Sequence, residues 1–388
     1  MTKYLSSILT VALAAAASMP TMVAGDPDDS LLSVYNSMSI DMDPIDYTIH
    51  DPSRIITIGQ KQLIAVTGKA QEDGYDCGIE TWWRNLNRDG GGWKPGQCLF
   101  RTKPSWVTTE APLNDGAFWA PELDYDKKTK TLTLLYSVSE MDNREGGPNT
   151  CVGVATSTTG IQGFPNKLTW KDAGEALSCI TGADYTEERS AIDPSVFWGF
   201  GNNKNKLFLV TGGGRIIGTE LDPKTYLQKE GEWFDLKGDE WTELATGPTQ
   251  GEDNWVEAAY IHPNPKTGYY YLFVNWYACC NGVDSTYEIR VGRSRNPMGP
   301  YLDHKGKDMM QGGGLRFEKN RKGYVIGPGH TGIWKKGNTE YISYHYYDKR
   351  RDGQSWIAER KLRWKANGWP RTVGGPIRTF PKSILDGE

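Results

Sequence analysis

AIDPSVFWGFGNNKNKLFLVT, residues 191–211, sets an acid directly before a proline and follows it with two short apolar runs around a polar turn. Three other stretches repeat the run–turn–run plan: ELDYDKKTKTLTLLYS (122–137), AAYIHPNPKTGYYYLFV (258–274) and GIWKKGNTEYISYH (332–345). VATSTTGIQGFP (154–165) parallels VGRSRNPMGPY (291–301), so a second repeat follows two of these units. Helical periodicity is scarce, and 45 glycines supply the tight turns that many short strands need. Such units bury their faces only against one another, which points to a repeat architecture.

Asp51, Glu122, Asp193, Glu257 and His330 each stand at the head of one unit, 71, 71, 64 and 73 residues apart. A minimal four-stranded propeller blade needs about 40–45 residues, and long loops account for the excess. Five stations imply five blades, an all-β five-bladed β-propeller occupying residues 26–388 as one domain. In a propeller the first strand of each blade lines the central channel, so polar groups at its start converge on one axis. A two-domain β-sandwich protein also has closely spaced strands, but gives no reason for an ionisable residue every seventy positions.

A net charge of −4 with both signs mixed along the chain excludes a nucleic-acid footprint. Lys3, an uncharged Ala-rich run to residue 25 and a small-residue exit read as a secretory signal peptide over 1–25. The run is weakly hydrophobic and contains Pro20, which disfavours a membrane anchor. The expected product is a secreted, extracellular monomer with no membrane association after cleavage. Export suits the six cysteines, of which Cys77/Cys98 and Cys151/Cys179 can each close a local loop. Six cysteines allow fifteen pairings, and sequence alone leaves the choice open.

Asp51 lies in IHDPSRI, Asp193 in AIDPSVF and Glu257 in NWVEAAYI. Proline disfavours helical backbone at the preceding residue, so both aspartates are expected on stiff, extended strand entries. A single Asp-Pro is an ordinary turn; three carboxylates at matched blade positions are a candidate catalytic set.

Those motifs, in that order and spacing, resemble glycoside hydrolase family 43, and within it the arabinan endo-1,5-α-L-arabinanases. The likeness runs over about 48–372, through YYYLFVNWYACCNGVDSTYEIRVGRS (269–294), MQGGG (310–314), GPGHTGIW (327–334), YHYYD (344–348) and KLRWKANGWP (361–370). FWAPEL (118–123) matches the blade-two segment, with Glu122 where an Asp is more usual. The resemblance implies inverting hydrolysis of arabinan, the pectin side chain, with Asp51 as base, Glu257 as acid and Asp193 tuning the acid. Inversion requires the base and acid carboxyls to be roughly 6.5–9.5 Å apart, leaving room for a water. It further implies a calcium or sodium ion at the axis beside His330.

Trp119 and Phe118 read as sugar-stacking aromatics in the blade-two loop. Cys279 and Cys280 are expected to form a vicinal disulfide, an apolar plate beside the cleft, with two reduced buried thiols as the alternative. Trp82 and Trp83, read as part of a loop between Cys77 and Cys98 that includes RNLNRDGGGWKPG (84–96), depart from the family pattern. So does VTGGGRIIG (210–218), where arabinanases more usually carry an aromatic segment. Both departures are expected in the cleft walls, leaving open an exo-acting α-L-arabinofuranosidase or β-xylosidase. A carbohydrate-binding propeller without activity is the rival outside enzymes, and the presence of all three acids opposes it.

Overall fold

A computed structural model describes residues 48–71, 74–87, 92–140, 149–157, 164–165, 167–180, 190–227, 234–235, 241–248, 254–321 and 323–377. The expected signal segment, 1–25, lies outside the described residues. Five sheets, antiparallel but for one outer strand, follow one another along the chain, and each is a blade. Blade one holds β1 (Ile56–Ile58), β2 (Lys61–Gln71), β3 (Gly74–Asn85) and β4 (Lys94–Pro95). Blade two holds β5 (Trp119–Asp126), β6 (Thr131–Ser139), β7 (Thr150–Ser157) and β8 (Lys171–Ile180). Blade three holds β9 (Ser195–Trp198), β10 (Leu207–Thr211), β11 (Arg215–Leu221) and β13 (Thr242–Thr246). The intervening β12 (Phe234–Asp235) pairs parallel with β8 and becomes a fifth, outer strand of blade two. Blade four runs through β14 (Val256–Asn264), β15 (Tyr269–Trp276), β16 (Glu288–Ser294) and β17 (Leu315–Glu318). Blade five runs through β18 (Val325–Lys336), β19 (Thr339–Asp348), β20 (Gln354–Trp364) and β21 (Pro370–Ile377).

Stacked blades cover both faces of their inner strands, so these strands read as continuous apolar runs rather than alternating ones. TLTLLYSVS of β6 and YYYLFVNW of β15 are buried along nearly their whole lengths. The core is accordingly a ring of interblade layers. Phe118, Leu134 and Tyr136 of blade two pack on Leu63, Ala65 and Ile79 of blade one. Val152 and Val154 of blade two meet Val196 and Leu209 of blade three. Phe197 and Phe208 of blade three meet Tyr270 and Leu272 of blade four.

Among the described residues no strand is shared across the seam between blades five and one. Side chains and one backbone hydrogen bond close it instead. Arg84 on β3 donates two hydrogen bonds to the Glu359 carboxylate on β20, at 2.5 and 2.8 Å, with the pair 4% and 1% exposed. Trp82 meets Trp356 edge-on at 5.7 Å, and the Ile49 N–H donates to the Ser355 carbonyl. Trp82 and Trp83 therefore belong to a strand, and buried Trp82 is seam packing rather than cleft wall.

The backbone repeat is sharper than the side-chain one. Asp51, Ala120, Asp193, Ala258 and His330 all have positive φ, between 44° and 58°. In blades two, four and five the strand pairing slips at or beside this residue, a bulge that re-aims the chain at the channel mouth. Extended backbone at the two pre-proline aspartates is thus not what forms. A left-handed residue other than glycine costs about 1–3 kcal/mol, least for Asp, Asn and His, and such strain gathers at functional sites.

Candidate active site

The blade entries bring Asp51, Asp193, Glu257 and His330 together. Glu122 stays outside this group: its carboxylate accepts from the Arg54 N–H at 3.1 Å, from Arg54 Nε at 2.6 Å and from Ser195 Oγ at 3.2 Å. Ala120, two residues earlier, holds the blade-two station, so that station carries no ionisable group. Arg54 further contacts Asp124, the Val196 carbonyl and the Tyr260 ring, tying blades one to four together.

Asp51 is held from several sides. Its Oδ2 accepts from His50 Nδ1 at 2.7 Å and from Thr67 Oγ1 at 2.8 Å, and Thr67 Oγ1 itself accepts from the Ala120 N–H. The Asp51 N–H donates to His345 Nδ1 at 3.2 Å, which puts the neutral ring's proton on Nε2. Burial drives the Asp51 pKa up, but the charge and hydrogen bond of His50, with His345 and His330 alongside, hold it well below the usual carboxylate range. Burial opposes the His50 cation, yet Asp51 keeps that imidazole's pKa above its ordinary value. Asp51 is therefore ionised across the neutral range.

Glu257 and Asp193 face the opposite pressure. Burial lifts Glu257 above the ordinary value although Tyr287 Oη donates to its Oε1 at 2.5 Å and Trp255 Nε1 to its Oε2 at 2.6 Å. Burial and the charges of Glu257 and Asp51 push Asp193 well above its own. Asp193 is anchored through its N–H to Ser137 Oγ, and its Oδ2 accepts from the Ala258 N–H at 2.9 Å, one residue past Glu257. Two buried carboxyls crowded in this way are pressed toward the protonated form, beside a third pressed toward the ionised one.

The His330 N–H donates to Asn275 Oδ1, and its Nδ1 lies 3.6 Å from Asp51 Oδ1. Burial lowers its pKa, leaving the ring neutral and able to meet a cation. His50, Asp51 and His345 also offer ligand atoms within 4.8 Å of one another. Three of the chain's five histidines thus surround one aspartate.

Cys279 and Cys280 are disulfide-bonded, as are Cys77/Cys98 and Cys151/Cys179. The vicinal pair lies at the site: the Cys280 N–H donates to Tyr347 Oη at 2.7 Å, and that hydroxyl is 2.7 Å from His50 Nε2. Trp119, at the start of β5, is half-buried. Phe118 is fully buried against Tyr136 and Phe100, so no face of its ring is open to a sugar.

His50, Thr67, Trp255, Tyr287, His345 and Tyr347 complete the site and are absent from the expected set. Two were within reach of the sequence: His50 adjoins Asp51, and Trp255 lies two residues before Glu257, on the same face of an extended strand. Tyr287 and His345 have no local signal: strand pairing within blade four sets Tyr287 beside Glu257, and only the closed ring brings His345 to Asp51.

The family model described as Glycosyl hydrolases family 43 matches residues 86–370, a span that includes Asp193 and Glu257 but begins after Asp51. The chain is 31% identical over 289 residues to the extracellular exo-α-(1→5)-L-arabinofuranosidase ArbA of Cellvibrio japonicus, covering 74% of this chain and 78% of that one. It is 30% identical over 323 residues to extracellular endo-α-(1→5)-L-arabinanase 1 of Bacillus subtilis, covering 83% and 87%. A solved endo-arabinanase of Bacillus licheniformis superposes with a TM-score of 0.66 at 30% identity, covering 84% of this chain and 98% of that one.

Proposed function

The chain belongs to glycosyl hydrolase family 43, a glycosidase family, and on that premise we propose that it hydrolyses α-1,5-L-arabinofuranosyl linkages of arabinan, endo-fashion and with inversion. One observation carries the reading: Asp51, hydrogen-bonded to His50 and Thr67, shares a pocket with Glu257 and Asp193, whose carboxyls burial presses toward the protonated form. Inverting hydrolysis needs that split, because an acid protonates the leaving oxygen while a base deprotonates water on the opposite face of the ring. Asp51 is the base, steadied by His50 and Thr67. Glu257 is the acid, and Asp193 tunes it as the partner with which it shares a proton.

Trp119 and the Cys279–Cys280 plate are the surfaces we assign to the sugar. We assign a calcium or sodium ion to His330, whose Nδ1 lies 3.6 Å from Asp51 Oδ1; a single imidazole would hold such a hard ion largely through water. When bound, it supplies fixed positive charge at the axis. Secretion is part of the reading, since both relatives above are named extracellular.

Exo action is the second reading, favoured by the likeness to ArbA. Product analysis on debranched arabinan over time separates the two. Mixed oligosaccharides with an early fall in viscosity support endo action, and arabinose alone supports exo action. Release of neither would overturn the assignment. Proton NMR of the first product tests inversion, because retention of the anomer would exclude it.

A further inference from the structure

The glycine-rich turn at 212–214, where the chain departs from arabinanases, lies against Trp255. A Cβ built on Gly213 would sit 2.8 Å from the Trp255 indole, 2.8 Å from Ile192 and 2.5 Å from Ser190 Oγ. The Gly214 N–H donates to the Val256 carbonyl at 2.8 Å, and the Tyr277 N–H donates to the Trp255 carbonyl at 3.3 Å. The indole thus lies where position 213 leaves no room for a side chain, and its backbone is fixed on both flanks.

We propose that Trp255 is a positioning residue for the acid, its indole N–H holding Glu257 through Oε2 and leaving Oε1 to deliver the proton. The inference rests on the glycosidase reading above. An indole N–H is only ever a donor, so Oε2 faces a donor in both protonation states. The Tyr287 hydroxyl at Oε1 can turn from donor to acceptor and so tolerates a proton there. The titratable and charged groups facing Glu257 are Asp193, Asp51, His50 and Tyr287. None of them contacts Oε2 as Trp255 does.

Trp255→Phe keeps the ring body and removes the donor. It is expected to lower kcat on arabinan about tenfold with little change in KM, while an aryl arabinofuranoside that leaves unprotonated loses much less. A hydrogen bond to a charged group favours that charged form, so its loss moves the alkaline limb of the pH–rate profile up by about one unit. Gly213→Ala, which displaces the indole, should give the same shift and add nothing to Trp255→Phe. An unmoved limb with equal losses on both substrates would overturn the proposal. An activity-independent readout is the Trp255 indole resonance in ¹⁵N-labelled protein, which should titrate in the wild type and stop titrating in Glu257→Gln. Absence of that titration rejects the clamp whatever the substrate, whereas a wild type inert on arabinan rejects only the functional reading.

Discussion

Asp193→Asn should make the protein more stable and less active. Asn preserves what the position needs sterically, since it tolerates the left-handed φ of 55° and keeps an oxygen for the Ala258 N–H. What it removes is a buried charge. Asp193 has a pKa raised well above its unfolded value by burial and by Glu257 and Asp51. A group with a raised folded pKa binds its proton more tightly folded than unfolded. Its ionisation therefore erodes stability as pH climbs from the unfolded pKa through the folded one. Below that window wild type and variant should be nearly equal; above it the variant should be ahead by about 0.5–2 kcal/mol, the usual yield of relieving one strained site. Unfolding entropy of roughly 2.1 cal/mol/K per residue means that each kcal/mol moves Tm by only about 1.2 °C in a chain of this size. The expected gain is thus about 1–2 °C at pH 7 and close to nothing at pH 4. Scanning calorimetry across that range reads the stability, and the pH–rate profile reads the function. Without the neighbouring charge Glu257 loses its proton earlier, so the alkaline limb should move down. A variant less stable than wild type at pH 7, or a gain identical at both pH values, would refute the argument.

The other two acids should fail in different ways. Asp51→Asn should abolish turnover of every substrate, since water must always be activated, whereas Glu257→Gln should spare aryl glycosides that leave without protonation; losses below about tenfold, or equal losses on both substrate types, would contradict these roles. Arg84→Met strands a buried Glu359 carboxylate at the blade five–one seam, at a cost of about 3–5 kcal/mol, and Arg84→Met/Glu359→Leu should recover most of it. Thermal melts that rank the double variant no better than the single one would show that the ion pair does not close the ring. Mass spectrometry of unreduced protein after alkylation should find the 279–280 peptide unmodified; two labelled thiols there would remove the proposed plate.

Much of this was legible because a propeller writes its architecture as spacing. Run–turn–run units near every seventy residues need no knowledge of packing, and Asp51, Asp193 and Glu257 stood at the right offsets to be read as one set. Their supporting groups were harder. His345 and Tyr347 sit on the same blade-five strand, where an alternating aromatic run looks like core. Only ring closure sets that strand against His50 and reveals two of its side chains as parts of the site.

Glu122 and Phe118 show why two of the misreadings fell in blade two. The five stations were identified by ionisable side chains, but what repeats is a left-handed residue at the channel mouth. Ala120-Pro121 occupies the place of Asp51-Pro52 and Asp193-Pro194 with no chemistry attached. Glu122 lies two residues past that station, beyond the bulge, where it pairs with Arg54. Phe118 lies in the interblade layer rather than in a cleft. Alanine gains nothing from a positive φ, so its presence there argues that the bulge is demanded by the blade and not by the reaction. The backbone bends at every entry, and the side chain carried on the bend is free to vary: an aspartate, a silent methyl, a second aspartate, an alanine beside Glu257, a histidine. Function in this fold is therefore set by what each bend carries, and the fold would close whether or not all five carried chemistry.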